Sequence, residues 1–340
     1  MTRTAADYFL SARFMSSFSS SLLDTILRIG LVTMISFSVC AQSYPTRPVK
    51  FEAGFPAGST VDIVARIIAQ KLSDAWQQPV LVENRTGAGG NIAAEVVSKS
   101  PADGYTLLLG NNSLVISTMS YHKLPYRAQT DLVPLIFVAS APQLLVVAPT
   151  LPVSSVQQLI ALARSKPGQL NFASSGVGTP PHLAGELFKN VARIRLVHVP
   201  YKGSTQALTD VAAGEIAMYF SGLPPTLPLL KAHKVKALGV TGKQRSRAVP
   251  DVPTLAESGL SGYEVGFWYG VFAPAKTPRD LIARLNREID RALELPDVRD
   301  RFATLGLDPV GGSAPDFAHF FDSEIEKWSK LVRANGIVLD

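Results

Sequence analysis

An apolar strand, a Gly/Pro loop and the start of a helix follow one another in residues 49–66, and this unit constrains the fold most strongly. Ser59 lies three residues before Asp62, which is the capping-box signature of a helix N-terminus. Apolar residues then recur at helical spacing, namely Val61, Val64, Ile68 and Leu72. A free helix N-terminus presents unpaired backbone N–H groups and about half a positive charge, so it can hold a carboxylate or phosphate. An ordinary strand–helix connection is the alternative.

Two more strand–loop units follow the first one. Residues 79–84 and 104–110 are predicted strands, with a helix over 92–98 between them. Continuous apolar strands that alternate with helices predict a parallel sheet covered on both faces. Ligands of such sheets bind beyond the carboxyl ends of the strands. We therefore expect three polar loops on one rim, at residues 55–60, 85–91 and 111–113.

A strand of about fifteen residues, 135–149, has a polar, proline-marked middle. This length suits a strand that leaves one sheet and enters another. A second series of strands and helices follows, in which Thr179 before Pro180 predicts a helix start. We therefore expect two lobes, with the chain crossing from the first to the second at the strand 135–149. The stretch 263–274 is a predicted strand that returns to the first lobe. The lobes are expected to be residues 44–143 plus 250–340, and residues 144–249.

The remaining helices and strands are also predicted from local sequence patterns. The second series contains a helix at 155–164, strands at 170–174 and 195–200, and a helix at 206–213. A strand at 216–220 is followed by a predicted loop at 221–225, and another strand covers 236–241. Two amphipathic helices, 278–293 and 315–334, are expected to end the chain, with aromatic residues of the second in the core: Phe317, Phe320, Phe321 and Trp328.

The first 43 residues have the features of a signal peptide. Arg28 precedes the apolar run 29–41, which is too short to span a bilayer but suits the hydrophobic region of an export signal. Small residues predict cleavage near Ala41, and Met15 is an alternative start. Cys40 is the only cysteine, and Val39 before it argues against a lipid anchor. We expect a periplasmic protein without disulfides.

Catalytic and cofactor motifs do not occur in this sequence. It lacks G-x-S-x-G, a P-loop and H-E-x-x-H, and its two glycine-rich loops place Ile92 and Pro181 where a dinucleotide fingerprint needs Gly or Ala. Five histidines are scattered without ligand spacing, so no metal or cofactor is expected. The net charge is +6, but no basic stripe is present, which argues against nucleic acid as a partner.

What remains is a helix N-terminus in each lobe, both preceded by glycine loops. If these face each other, they form a binding cleft for an anion, without reaction machinery. Asp62 beside an anion is unfavourable unless it caps its helix or receives a ligand ammonium group or water. His182 is either a helix-start residue bonded to nearby backbone or a residue that shapes the ligand site.

Eight motifs resemble the periplasmic solute-binding proteins of tripartite tricarboxylate transporters, the Bug-type receptors. They begin with Y-P-x-R-P-V at residue 44 and F-P-A-G-S-T-V-D-I-V-A-R at 55. They continue with E-N-R-T-G-A-G-G-N-I at 83, D-G-Y-T-L-L at 103 and S-G-V-G-T-P-P-H-L at 175. The last three are V-P-Y-K-G at 199, V-P-T-L-A-E-S-G at 252 and W-Y-G-V-F-A-P at 268. They cover nearly all of residues 44–340 in the family's order.

The resemblance implies an α/β protein of the type II periplasmic-binding fold, with two lobes, a ligand cleft and two crossover strands. It also implies capture of a di- or tricarboxylate, or a similar organic acid, and delivery to membrane permease subunits. The expected ligand-binding residues are Phe55, Pro56, Ala57, Gly58, Ser59, Thr60, Asp62, Asn111, Ser113, Ser175, Gly176, Gly178, Thr179, His182, Tyr201, Gly203 and Ser221.

Four positions depart from the family's pattern. Glu52 stands where an aliphatic residue is usual, and Gly54 where proline is usual. Ala217 and Ser221 stand where acidic or amide residues are common. The hypothesis that follows is that the far wall of the cleft is less acidic, so the ligand need not carry an ammonium group.

Three functional classes stay open at this point. The first is a monomeric binding protein that serves a permease and catalyses no reaction. The second is an exported two-lobed enzyme acting on a carboxylate. The third is a receptor that presents its ligand to a sensor kinase. The missing catalytic motifs and the resemblance both favour the first class.

Overall fold

The computed structural model describes residues 44–120 and 123–334. The predicted signal peptide, its cleavage site near Ala41, Cys40 and His122 lie outside the described residues. The chain divides into two units, residues 1–46 and 47–340, and the second unit contains every helix and strand given below. Within the described ranges, no helix is both long and apolar enough to cross a membrane.

The chain folds into alternating strands and helices. The strands are β1 (Val49–Ala53), β2 (Val80–Asn84), β3 (Thr106–Asn111), β4 (Leu132–Val147), β5 (Asn171–Ser174), β6 (Val197–Pro200), β7 (Met218–Gly222), β8 (Lys236–Val240), β9 (Gly266–Pro274) and β10 (Asp308–Gly311). The helices before β8 are α1 (Thr60–Trp76), α2 (Asn91–Ser98), α3 (Ser113–Ser120), α4 (Ala128–Asp131), α5 (Val156–Ser165), α6 (Pro180–Ala192), α7 (Ser204–Ala213) and α8 (Leu223–Lys231). The last three are α9 (Arg279–Glu294), α10 (Pro296–Leu305) and α11 (Ala314–Ala334).

One continuous path of strands, β2-β1-β3-β9-β4-β7-β5-β6, joins two sheets. Residues 132–142 of β4 pair with β9 in the first sheet, whereas residues 143–147 pair with β7 and β8 in the second. The prediction that this long strand passes from one sheet to another is confirmed. We call the first sheet and its helices the first lobe, and the second sheet with α5 to α8 the second lobe.

Each sheet is mixed rather than parallel. Strands β1, β2 and β3 are parallel to one another, as are β5, β6 and β7. The strand β9, however, runs antiparallel to β3 and β4 in the first sheet, and β4 runs antiparallel to β7 and β8 in the second. The predicted parallel arrangement of the first three strands is confirmed, but neither whole sheet is parallel, because β9 in the first sheet runs opposite to β1–β3 and β4 in the second runs opposite to β5–β7.

The two faces of the second sheet have separate cores. On one face, Leu145 of β4 and Phe220 of β7 pack with Phe188 of α6. On the other, Leu144 and Tyr219 pack with apolar residues of α7. Because side chains alternate along a strand, this assigns a face to every residue of β4 and β7 at the crossing.

The last helix anchors the first lobe, as expected. Phe317, Phe321 and Trp328 are buried, whereas Phe320 is half-buried against the same core, and α11 packs on β4. Glu324 is 3% exposed and accepts hydrogen bonds from the indole N–H groups of Trp268 (3.0 Å) and Trp328 (2.6 Å). Both indoles bond Oε2, and Lys327 Nζ donates to Oε1 at 2.9 Å, so the buried carboxylate has partners on both oxygens.

Several elements were predicted as loops or not at all. The polar loop at 111–113 continues into α3, and the predicted loop at 221–225 is instead the end of β7 and the start of α8. Helix α8 has prolines in its first turn, where the missing N–H groups are tolerated. Helix α10 and strand β10 lie between the two predicted C-terminal helices, so the prediction of two final helices is incomplete.

Candidate ligand-binding site

The N-terminus of α1 has the predicted cap. Ser59 has extended backbone, and its Oγ accepts the N–H of Asp62 at 3.3 Å. The Asp62 carboxylate in turn accepts the N–H of Gly58 at 2.9 Å and hydrogen bonds from Arg66 and Asn84. Burial opposes its ionisation, but these hydrogen bonds outweigh burial and hold its pKa below the ordinary value. Asp62 therefore braces the loop before α1.

Glu52 and Gly54, the two departures in β1, both position neighbouring loops. Glu52 is 1% exposed and accepts a hydrogen bond from Arg85 Nε at 2.8 Å. A Cβ atom at Gly54 would lie 2.6 Å from the Cα of Gly90, so only glycine allows the loop 87–90 to lie this close to β1. Burial raises the pKa of Glu52, and the Arg85 guanidinium partly offsets that rise.

The loop 87–90 places four successive residues at positive φ. Gly87, Gly89 and Gly90 adopt this conformation at little cost, but Ala88, with φ of 47°, is strained. Asn91 donates to the carbonyl of Ala88 at 2.5 Å, which supports the loop from below. Strain of this kind is typical of a functional site.

The opposing loop 175–179 precedes α6. Thr179 is the N-cap residue and Pro180 lies in the first turn, as predicted, but the Thr179 hydroxyl donates to the carbonyl of Gly176 (2.6 Å) rather than capping the helix. Pro180 and Pro181 have no N–H groups. An anion at this end of α6 would therefore draw its donors mainly from the loop, and less from the helix.

His182 braces this loop from inside the second lobe. Its Nδ1 accepts the N–H of Gly178 at 3.4 Å, and its ring stacks on His198 with centroids 3.9 Å apart. His198 in turn lies 2.7 Å from the hydroxyl of Ser174. Burial lowers the pKa of His182 to about 3 and that of His198 to about 4, and the Lys189 charge adds to both shifts. Both rings are neutral at pH 7.

Three further predicted residues make hydrogen bonds within their own lobes. The Tyr201 hydroxyl donates to Asp210 at 2.6 Å, and burial followed by this carboxylate raises the pKa of Tyr201 to about 12. Asn111 accepts the N–H of Ser113 at 2.9 Å. Ser221 accepts a hydrogen bond from Thr226 at 2.8 Å.

The two lobes contact each other through the predicted loops. Pro56 lies against Gly203 so closely that a Cβ atom there would overlap its ring. The Thr205 hydroxyl donates to the carbonyl of Ala57 at 3.3 Å. Thr60 lies against Gly222 in the same way as Pro56 against Gly203. The N-terminus of α1 thus meets the second lobe directly.

A cavity of about 230 Å³ lies between the loops of the two lobes. It is lined by Phe55, Gly87, Ala88, Gly89, Gly90, Ser175, Gly176, Val177, Pro200, Tyr201 and Lys202. Across it, a Cβ atom at Gly176 would lie 3.6 Å from the Cα of Gly89. Lys202 is the charged residue of this lining, and it is exposed. The size suits a small ligand, since pockets for drug-sized molecules are about 300–1,000 Å³.

A larger groove of about 1150 Å³ lies elsewhere, between the loop 242–247 and the helices α9 and α10. Charges of both signs line it, among them Lys243, Arg245, Asp290 and Asp300. None of the predicted site residues lies in it. We assign the ligand site to the smaller cavity because the braced, glycine-rich loops of both lobes converge there.

A model of the family described as "Tripartite tricarboxylate transporter family receptor" matches residues 64–337. The chain belongs to this family. Protein BugT of Bordetella pertussis is 37% identical over 307 residues, which are 90% of this chain and 94% of BugT. The Bug-type resemblance seen in the motifs is confirmed, and so is a fold of two lobes.

Two solved structures are similar to the receptor over nearly their whole length. "R. palustris Rpa4515 with adipate" has a TM-score of 0.85 and 38% identity, and the match covers 87% of this chain and 99% of that one. "MatC (Rpa3494) from Rhodopseudomonas palustris with bound malate" has a TM-score of 0.81 and 31% identity, covering 85% of this chain and 100% of that one. Both are proteins of the same architecture with a small dicarboxylate bound.

Among the predicted site residues of the receptor, the cavity lining includes Phe55, Ser175, Gly176 and Tyr201. Other predicted residues form the contacts between the lobes or brace the loops: Pro56, Ala57, Gly58, Ser59, Thr60, Asp62, Gly178, Thr179, His182 and Gly203. The expected ligand-binding residues did not include Lys202 or the loop 87–90, although that loop was expected on the ligand rim. The run of glycines after β2 and the lysine after Tyr201 were the available signals.

Proposed function

We propose that this receptor captures a small dicarboxylate, or a similar organic acid, between its two lobes and delivers it to a tripartite tricarboxylate-type membrane permease. The observation that carries the proposal is the cavity where braced glycine loops of both lobes meet near the N-terminus of α1. Backbone donors and one exposed lysine suit reversible capture of an anion, because they bind it without a buried counter-charge.

The solved relatives support this choice of ligand class. Adipate and malate, the acids named for the two similar structures, both carry two carboxylates on a short carbon chain. Asp62 is committed to Gly58, Arg66 and Asn84, so it leaves the cleft without a strong acceptor for a ligand ammonium group. We infer that the receptor prefers acids without an amino group.

Export and delivery complete the proposal. We infer that residues 1–43 are a signal peptide cleaved near Ala41, and that the mature protein is a periplasmic monomer. We also propose that residues 44–143 plus 250–340 and residues 144–249 are the two lobes that move relative to each other. The permease would recognise the closed form, which is the usual logic of ligand-dependent delivery.

Binding is tested by thermal melting and isothermal titration calorimetry of the mature protein with succinate, malate, adipate, citrate and aspartate. We expect the melting temperature to rise with at least one of the acids that lack an amino group, and not with aspartate. A panel in which only aspartate binds, or in which nothing binds, would contradict the proposal.

Absence of turnover is tested on the same samples. We expect a bound dicarboxylate to be recovered unchanged, because in residues 44–120 and 123–334 no group of metal ligands is found and the cavity lining contains no histidine or carboxylate that could act as a base. Proton NMR spectra of the acid before and after prolonged incubation with the receptor make this comparison. New resonances that grow with protein concentration would instead favour the exported-enzyme alternative.

A further inference from the structure

Two buried polar side chains near the crossing between the lobes have atoms without a hydrogen-bond partner. Gln143 is 0% exposed, and neither its Nε2 nor its Oε1 is bonded. Ser113 is 3% exposed, and its Oγ is likewise unpaired. An unpaired buried amide or hydroxyl costs about 1–3 kcal/mol, so folded proteins rarely keep one without a use.

Gln143 lies at the point where β4 enters the second sheet. Its backbone is held firmly, since its N–H donates to Thr241 Oγ1 at 2.8 Å and its carbonyl accepts the Thr241 N–H at 2.9 Å. Its partner across the sheet is Gly222, the last residue of β7. The strand β7 runs parallel to β5, whose end leads into the loop 175–179. Gln143 therefore lies at the ligand edge of the second sheet.

The face on which the Gln143 side chain lies follows from the strand alternation. Gln143 lies two residues before Leu145, so it shares the face that α6 covers. Gly222 lies directly opposite, and a Cβ atom built there would meet the hydroxyl of Thr60, the first residue of α1. Because the Cβ positions of opposite residues are about 5 Å apart, the Gln143 amide lies within the length of one small molecule from the N-terminus of α1.

Ser113 approaches the same point from the first lobe. The neighbouring Asn112 amide donates to the carbonyl of Gly266 at 3.1 Å and accepts the N–H of Trp268 at 2.8 Å. Gly266 pairs with Pro142, the residue before Gln143. Ser113 is thus connected to Gln143 through Asn112, Gly266 and Pro142, all of them in the first lobe.

Gln143 is not among the residues that line the cavity of about 230 Å³. We propose that the bound acid extends from this cavity along the N-terminus of α1 to Gln143, and that the Gln143 amide recognises a hydroxyl group next to a carboxylate of the acid. An ionised carboxylate can accept the Nε2–H and the Ser113 hydroxyl, but it cannot satisfy Oε1, which requires a donor. A hydroxyl group of the ligand can donate to Oε1 while the adjacent carboxylate accepts the Nε2–H, so a hydroxy acid satisfies both amide atoms. The preferred ligand is therefore a hydroxy dicarboxylate. This inference rests on the proposed function.

The matched probes are malate and succinate, which differ by one hydroxyl group. The variant Gln143→Met keeps the length of the side chain and removes both polar atoms. Without acid, we expect its melting temperature to rise by about 2–5 °C, because a buried, unpaired amide has been removed. We expect its affinity for malate to fall about ten- to a hundredfold, and the wild-type preference for malate over succinate, about tenfold, to disappear.

Gln157→Met is the matched control. The Gln157 amide donates to the carbonyl of Ser258 at 2.7 Å, away from the cleft, so its loss should lower the melting temperature and leave malate affinity unchanged. Gln143→Asn is a second test, because it keeps an amide but withdraws it from the ligand, and it should weaken malate binding as Met does.

Each outcome decides between the two levels of the proposal. If wild type binds none of the acids, the proposed function and this inference both fail. If wild type binds malate but Gln143→Met and Gln143→Asn bind it within twofold of wild type, only the role of Gln143 fails. If Gln143→Met melts at a lower temperature than wild type, the Gln143 amide stabilises the fold and the proposed role in binding fails. Equal wild-type affinity for malate and succinate would overturn hydroxyl recognition.

Discussion

The buried carboxylate of Glu52 stands at a position where the resemblance implies an aliphatic residue. Its partner Arg85 is 42% exposed, so water solvates the guanidinium of this ion pair but not the carboxylate. Burial raises the pKa of Glu52, which means that ionisation costs free energy in the folded protein. The pair positions the loop that follows β2 rather than contributing to stability.

Replacing Glu52 by valine should therefore stabilise the receptor. For Glu52→Val we expect the free energy of unfolding at pH 7 to rise by about 1–2 kcal/mol, because a buried charge is exchanged for an apolar side chain. Arg85→Ala should lower the free energy of unfolding by about 2 kcal/mol at pH 8, because it leaves the buried charge of Glu52 unpaired. The loss should be smaller at pH 5, because Glu52 can take up a proton at that pH. Urea denaturation at both pH values measures this. Loss of stability in Glu52→Val would show that the pair is stabilising.

The stacked histidines predict how stability depends on pH. Their folded pKa values, about 3 and about 4, lie below the ordinary value of 6.5, so the unfolded chain binds protons first as the pH falls. Stability should then decrease below pH 6.5, by about 1.4 kcal/mol per pH unit for each histidine. His198→Gln, which can keep the bond to Ser174, should roughly halve the slope between pH 6 and pH 5 in urea denaturation. An unchanged slope in the variant would contradict the assignment.

At the scale of elements, helix starts were the most predictable feature. Ser59 and Thr179 mark the starts of α1 and α6 because side-chain caps and proline act within one turn, which is visible in sequence. Helices α3 and α8 were missed because β-branched residues in one and prolines in the other oppose helix propensity, and packing overrides it. The antiparallel crossing strands could not be predicted, since strand direction depends on contacts distant in sequence.

The candidate site was predictable only in part, for a related reason. The loops 55–60 and 175–179 have local signatures, so sequence identifies them. For Gln143, the sequence shows only that the residue lies in the polar, proline-marked middle of β4. That its amide has no hydrogen-bond partner depends on the residues that surround it in the folded protein. The strained loop 87–90 needs Gly54 beneath it, and that contact joins residues 36 positions apart.

The role of Asp62 can be tested at the level of α1. Asp62→Asn should lower the free energy of unfolding by about 2 kcal/mol, because hydrogen bonds to a charged group are weakened. Malate affinity should stay within twofold of wild type, and aspartate should bind neither protein, since the carboxylate bonds to Gly58, Arg66 and Asn84 and not to the ligand. Calorimetry with both ligands checks this. Aspartate binding by wild type that Asp62→Asn abolishes would contradict this and show that Asp62 receives the ligand ammonium group.

For the whole molecule, the contacts between lobes imply a closed form that a ligand stabilises. Gly203 makes the tightest contact of that interface, because a methyl group there would overlap Pro56. Its backbone is extended, with φ of 166°, so alanine introduces no strain within the second lobe. Gly203→Ala should therefore act as a wedge between the lobes. Gly266→Ala, whose Cβ would meet only ordinary contacts, is the control.

Solution X-ray scattering of the mature receptor, with and without a saturating dicarboxylate from the binding panel, tests lobe closure most directly. We predict that the radius of gyration of wild type and Gly266→Ala decreases on binding, whereas Gly203→Ala stays expanded and binds the acid at least tenfold more weakly, about 1.4 kcal/mol. A wild-type radius that does not change at saturation, or a Gly203→Ala variant that closes and binds like wild type, would contradict capture between two moving lobes.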